Sequence, residues 1–107
     1  MNNPKPGEVW LADLGLAAKT RPVIIVSRFD PNPPRALIIY VPLTTKNRYS
    51  DYEIELPDLH FLNQKSVANV QGMASLPVIR LEKKIGELPL EVYEKVKQAM
   101  LFALNFD

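Results

Sequence analysis

The groups able to do chemistry in this 107-residue sequence are quickly narrowed, because it holds one histidine and no cysteine. His60 lies in Asp58-Leu59-His60-Phe61-Leu62-Asn63-Gln64 with no second histidine to share a metal, and protein metal sites ordinarily need several ligands. It reads as a surface or partly packed residue. Without cysteine there are no disulfides, thiolate metal sites or thiol nucleophiles, and the composition fits a reducing cytoplasm. Glu53 and Glu55 fall two residues apart, on one face of a strand, the solvated one. Glycosidase-type or two-metal chemistry needs carboxylates that flank a substrate, so this pair does not suit it. Gly7, Gly15, Gly72 and Gly86 are isolated and form no phosphate-cradling loop. What remains is arginine, threonine, serine, amide side chains and backbone N–H groups. That set stabilises negative charge on a phosphate, and it implies neither a metal nor a cofactor.

Such side chains must be held by elements, and the first 45 residues read as β. Gly7-Glu8-Val9-Trp10-Leu11-Ala12-Asp13 alternates, with Val9 and Leu11 on one side and Trp10 on the other. Pro22-Val23-Ile24-Ile25-Val26-Ser27 is a β-branched run suited to a buried strand, and Ala36–Leu43 repeats the pattern. Between them Asp30-Pro31-Asn32-Pro33-Pro34-Arg35 must turn, because clustered prolines supply no ladder donors. Tyr52–Leu56 predicts a fourth strand, stopped by Pro57. Ser66–Gly72 and Ala74–Leu81 supply further strand material, with a bulge expected at Gly72. From Leu88 to Leu104 the pattern changes: Pro89 and Glu91 suit a helix start, and Val92, Val96, Ala99, Met100 and Ala103 form one apolar stripe. The expected architecture is mainly β (α+β), with about five to seven short, strongly bent antiparallel strands and a C-terminal helix. With no repeat and no interior linker, residues 1–107 are expected to form one domain.

Hydrophobic residues make up 47% and charged residues 23% of the chain, ordinary for a globular protein. No run approaches the roughly 20 apolar residues of a membrane helix, and the first residues lack the apolar core of a secretory signal. At a net charge of +1 the molecule as a whole is not a polyelectrolyte partner for nucleic acid. Residues 1–48, however, carry net +4 and residues 49–107 net −3. That asymmetry marks either a phosphate-facing side or scattered surface charges.

Taken in order, Gly7-Glu8-Val9-Trp10-Leu11-Ala12-Asp13-Leu14, Thr20-Arg21-Pro22-Val23-Ile24-Ile25-Val26-Ser27 and Val41-Pro42-Leu43-Thr44-Thr45 resemble the N-terminal half of MazF/PemK-type toxins. The likeness continues through Ser66-Val67, Arg80-Leu81, Lys84-Ile85-Gly86 and the final helix, and so spans nearly the whole chain. It implies an SH3-like, partly open barrel and a homodimer. It also implies a metal-independent, cytoplasmic endoribonuclease of a type II toxin–antitoxin system, held inactive by a cognate antitoxin. Such enzymes cut single-stranded RNA to leave a 2′,3′-cyclic phosphate and a 5′-hydroxyl. On this resemblance Arg21 and Thr44 occupy the catalytic positions. A guanidinium fork suits the charge that develops on a phosphorane, and a hydroxyl can donate to the same oxygens. From the residues alone, the alternative is a strand-edge Arg21 paired with Asp13 or Glu8. Trp10 is either a base-stacking platform or interface packing. Lys19, Arg28, Thr45, Lys46, Arg48 and Lys83 are candidate contacts along an RNA path.

The sequence departs from the family in two places. Only Gly15–Thr20 separates Leu14 from Arg21, shorter than the usual covering loop. After Ser66-Val67, the family's Gln and basic residue are replaced by Gly72 and Ala74, although Gln71 and Ser75 remain as candidate RNA contacts. Two alternatives therefore stand beside the nuclease: an inactive relative acting as a dimeric binding module, and a CcdB-like toxin that binds gyrase. Against the latter, Leu104-Asn105-Phe106-Asp107 does not match the Trp-Gly-Ile ending of that type.

Overall fold

The computed structural model describes residues 3–15 and 20–107. Among these, seven strands and one helix follow each other as β1 (Glu8–Ala12), β2 (Arg21–Ile25), β3 (Leu37–Thr44), β4 (Glu53–Glu55), β5 (Val67–Asn69), β6 (Ala74–Pro77), β7 (Leu81–Glu87) and α1 (Leu90–Ala103). Every pairing is antiparallel. The order is β4-β5-β3-β2-β1-β7, with β6 also on β3. One edge of β3 takes β2; along the other, Leu37–Tyr40 pairs with β6 while Leu43 and Thr44 pair with β5. Register shifts between Val9 and Trp10 and between Leu11 and Ala12 bend the β1–β7 pair. β4 and β7 are not paired to each other, so the bent sheet is a partly open barrel.

Both faces of the central strands are covered. Val9, Ile24, Val41 and Leu43 pack in one cluster with Leu56, Ala68, Val70 and the helix residues Val92, Val96 and Ala99. Trp10, Ala12, Val23, Ile25, Ile38 and Tyr40 pack in a second with Leu76 and Leu81. Alternate residues of β1 and β2 thus serve different cores, which is why β2 reads as an unbroken apolar run rather than an alternating one. The helix presents the stripe its spacing predicts, with Val92, Val96 and Ala99 buried. It ends where Asn105 takes a left-handed φ of 62° and the Phe106 N–H bonds back to the Leu101 carbonyl at 2.8 Å.

At Gly72 a 3₁₀ turn, Val70–Gly72, replaces the expected bulge. The Asn69 carboxamide oxygen accepts from the Gln71 N–H at 3.2 Å and starts the turn. A Cβ on Gly72 would approach the Pro42 ring to 3.0 Å, so this corner of the fold favours glycine on packing grounds.

Candidate functional site

A cleft of about 550 Å³ opens where β2 begins and β3 ends, within the size range of ligand sites. The β2–β3 register runs Val23↔Pro42, Ile24↔Val41 and Ile25↔Tyr40. Extending it by two residues sets Arg21 across from Thr44, a cross-strand neighbour on the same face. Both line the cleft, together with Thr45. The two residues assigned to catalysis by resemblance thus line one cleft from neighbouring strands, although 22 residues lie between them in the chain.

Arg21 is exposed, and the acids it could have paired with are engaged elsewhere. Asp13 faces Arg80 at 3.9 Å and accepts the Gly15 N–H at 2.9 Å. Glu8 accepts the Trp10 indole N–H and the Lys5 amide, each at 3.0 Å, and pairs with the Lys84 ammonium at 3.1 Å. Among the described residues, Arg21 has no carboxylate partner and is the one charged side chain on the cleft lining. Thr44 is half-buried, and its hydroxyl oxygen accepts the Lys46 N–H at 3.1 Å. That bond orients the oxygen and leaves the hydroxyl hydrogen to donate. A guanidinium and a hydroxyl, both unspent as donors, thus face one cavity, the arrangement an anion or a developing oxyanion calls for.

The segment after β3 is also fixed. Glu53 accepts the Arg48 and Ser50 amides at 3.2 and 3.1 Å and the Ser50 hydroxyl at 2.7 Å. These bonds, the Ser50 hydroxyl foremost, outweigh desolvation and hold its carboxyl below the ordinary range. Glu53 is therefore a turn-capping group rather than one of a solvated pair. Lys46 and Arg48 are exposed on this segment, beside the cleft but off its lining.

Trp10 corrects the expectation that it stacks on a base. It is 8% exposed, inside the second core, with its N–H committed to buried Glu8. Arg28 lines a different hollow of about 770 Å³, with Phe29, Leu37, Ile39 and Ile79. Gln71, on the 3₁₀ turn, and Ser75, on β6, are exposed but stand off the cleft. Lys19 lies outside the described residues. Missed in the sequence was another part of the lining, Phe61, Leu62, Asn63, Gln64 and Ser66, in the connection from β4 to β5. That stretch lacks strand or helix periodicity, so pattern reading passed over it.

Among the described residues no three histidine or carboxylate groups cluster as metal ligands, and no helix is long and apolar enough to cross a membrane.

Residues 5–104 match the family described as PemK-like, MazF-like toxin of type II toxin-antitoxin system. The chain belongs to this family. It is 29% identical over 89 residues to Endoribonuclease MazF3 of Mycobacterium tuberculosis, covering 83% of this chain and 86% of that relative. Among solved structures, an endoribonuclease in complex with its cognate antitoxin from Mycobacterial species superposes with TM-score 0.84 at 26% identity, covering 97% of each chain. The M. tuberculosis toxin MazF-mt6 gives TM-score 0.81 at 28% identity, covering 94% of this chain and 98% of that one.

Proposed function

We propose that this MazF-type endoribonuclease toxin cleaves single-stranded RNA in the cleft of its 1–107 domain, with Arg21 and Thr44 acting on the scissile phosphate. The observation that carries the reading is their cross-strand placement on one lining, with Arg21 free of any carboxylate partner among the described residues. In the reaction the 2′-oxygen forms a bond to phosphorus and loses its proton, while the bond from phosphorus to the 5′-oxygen breaks and that oxygen gains one. The products are a 2′,3′-cyclic phosphate and a 5′-hydroxyl. Negative charge peaks on the equatorial phosphorane oxygens, where the guanidinium fork neutralises it and the Thr44 hydroxyl donates a further hydrogen bond. Thr45, Lys46 and Arg48, which follow β3, hold the flanking backbone.

The altered stretch Gly72–Ala74 stands off the cleft lining, so its departures remove no group from this constellation. That favours an active nuclease over an inert binding module, and nothing specific favours gyrase binding. In the cytoplasm the chain acts with a cognate antitoxin, in line with the toxin–antitoxin family it belongs to and the antitoxin-bound relative. It works as a homodimer; Leu37 and Ile39 at 44% and Ile79 at 88% exposure leave apolar surface for a second copy. A monomer by light scattering at tens of micromolar would contradict the dimer.

The test of the reaction is incubation of the purified chain with long single-stranded RNA in EDTA. Cleavage undiminished by chelator, with cyclic phosphate and 5′-hydroxyl ends, is expected. Loss of activity in EDTA and its return with Mg²⁺ would overturn the mechanism.

A further inference from the structure

The two sides of the cleft differ in chemistry. Arg21, Thr44 and Thr45 address a phosphate. Another part of the lining comes from the β4–β5 connection and includes two amides, Asn63 and Gln64. We propose that Asn63 and Gln64 read the base edge of one nucleotide beside the scissile phosphate, and so set part of the sequence choice of the nuclease. This rests on the reading of function given above and adds the residues that choose where the cut falls.

The wall is built to hold still. Leu59, Phe61 and Leu62 pack against the first core, and the Leu62 N–H closes a turn on the Leu59 carbonyl at 3.0 Å. The Phe61 ring fills the space above Gly86 on β7, where any Cβ would collide with it. On the far side, the Ser66 hydroxyl donates to the Gln64 carbonyl at 3.0 Å. Between these anchors Asn63, Gln64 and Lys65 are exposed; only the two amides line the cleft, and no hydrogen bond within the described residues uses either carboxamide. Two amides on a pinned backbone are thus left for a partner outside the chain.

Their chemistry narrows what that partner is. A carboxamide carries both N–H donors and a carbonyl acceptor, the complement of a base's Watson–Crick or Hoogsteen edge, which single-stranded RNA leaves unpaired. Phosphate attraction would call for positive charge instead. The nearby cation, Lys65, is turned to Asp58 at 3.6 Å and does not line the cleft. An arginine–threonine group and an uncharged donor–acceptor stretch on one cleft lining divide the labour: one holds the backbone that every RNA shares, the other distinguishes bases.

The experiment digests a random-sequence single-stranded RNA library with wild type, Asn63→Ala, Gln64→Ala, Gln64→Glu and Arg21→Ala, and sequences the cut ends. Melting temperatures confirm that the exposed-site variants fold. Wild type is expected to cut at a defined motif. The alanine variants should still cleave RNA but cut the preferred motif more slowly, losing discrimination at one position by about tenfold or more, the order expected from one base-edge pair. Gln64→Glu exchanges donors for acceptors, so the preferred base at that position should change. A motif retained at full strictness in all three variants, or a wild type without sequence preference, overturns the inference while leaving the nuclease intact. Wild-type cleavage that is absent, or that persists unchanged in Arg21→Ala, sinks the reading of function and this inference together.

Discussion

Glu8 and Arg21, at opposite ends of the first two strands, show what a charge does when it is partnered and when it is not. Glu8 is 8% exposed and receives three donors, from Trp10, Lys5 and Lys84. Burial alone would push its carboxyl up, but those donors together outweigh burial and hold it below the ordinary carboxylate range. Lys84 answers in kind: bonds to Glu87 and then Glu8 keep its ammonium above the ordinary lysine value. Arg21 has none of this and looks onto an open cleft lined by no acid. The satisfied charge serves the fold, and the unsatisfied one is left for a substrate. If that contrast is right, the two residues separate cleanly in mutation, one moving stability and the other rate.

The largest effect belongs to Arg21. Arg21→Ala should lower single-turnover cleavage by about 10²–10³, the usual loss for one preorganised donor, with melting temperature unchanged. Arg21→Lys should recover little, because a point charge does not reproduce the bidentate fork. Equal losses of rate and stability would erase the contrast with Glu8.

Glu8 should behave in the opposite way. Glu8→Ala leaves the buried Trp10 N–H and the Lys5 amide without an acceptor, a cost of about 1–3 kcal/mol, while cleavage by the folded fraction stays at the wild-type rate. Urea titration combined with single-turnover assays checks both halves. The smallest effect is the pH dependence. A carboxyl held low in the folded chain contributes stability above the unfolded value of about 4.3, and that contribution disappears as pH falls through the folded value. Glu8→Gln removes the charge and keeps one acceptor. Its deficit should be largest near neutrality, about 1 kcal/mol or less since Lys84 is well exposed, and should shrink on acidification. A deficit that grows as pH falls would give the linkage the wrong sign.

The same residues explain how far the sequence could be read. β2, β3 and the helix were legible because their apolar residues are dense and periodic, whereas Arg21 and Thr44 were singled out by the family resemblance alone. Trp10 was not legible, although its signal was present. Glu8 and Trp10 stand two apart and so share a strand face, which makes a carboxylate–indole bond available. Seeing it needed the knowledge that both sheet faces are buried. The packing of Gly72 in the turn at Val70–Gly72 is set by Pro42, distant in the chain. The Phe61–Ser66 wall depends on Gly86 leaving room for a ring. These are non-local contacts that strands make with aperiodic segments, and periodicity carries no information about them.

The central claim is that Arg21 and Thr44 serve one transition state because register sets them face to face. A double-mutant cycle tests it most directly: single-turnover cleavage of one RNA at saturating enzyme by wild type, Arg21→Ala, Thr44→Ala and the double variant. Binding is measured separately on a 2′-deoxy analogue. The account predicts that each single change slows cleavage far more than it weakens binding, and that the double variant loses less than the two losses combined. Additive losses, or wild-type cleavage by Arg21→Ala, would contradict it.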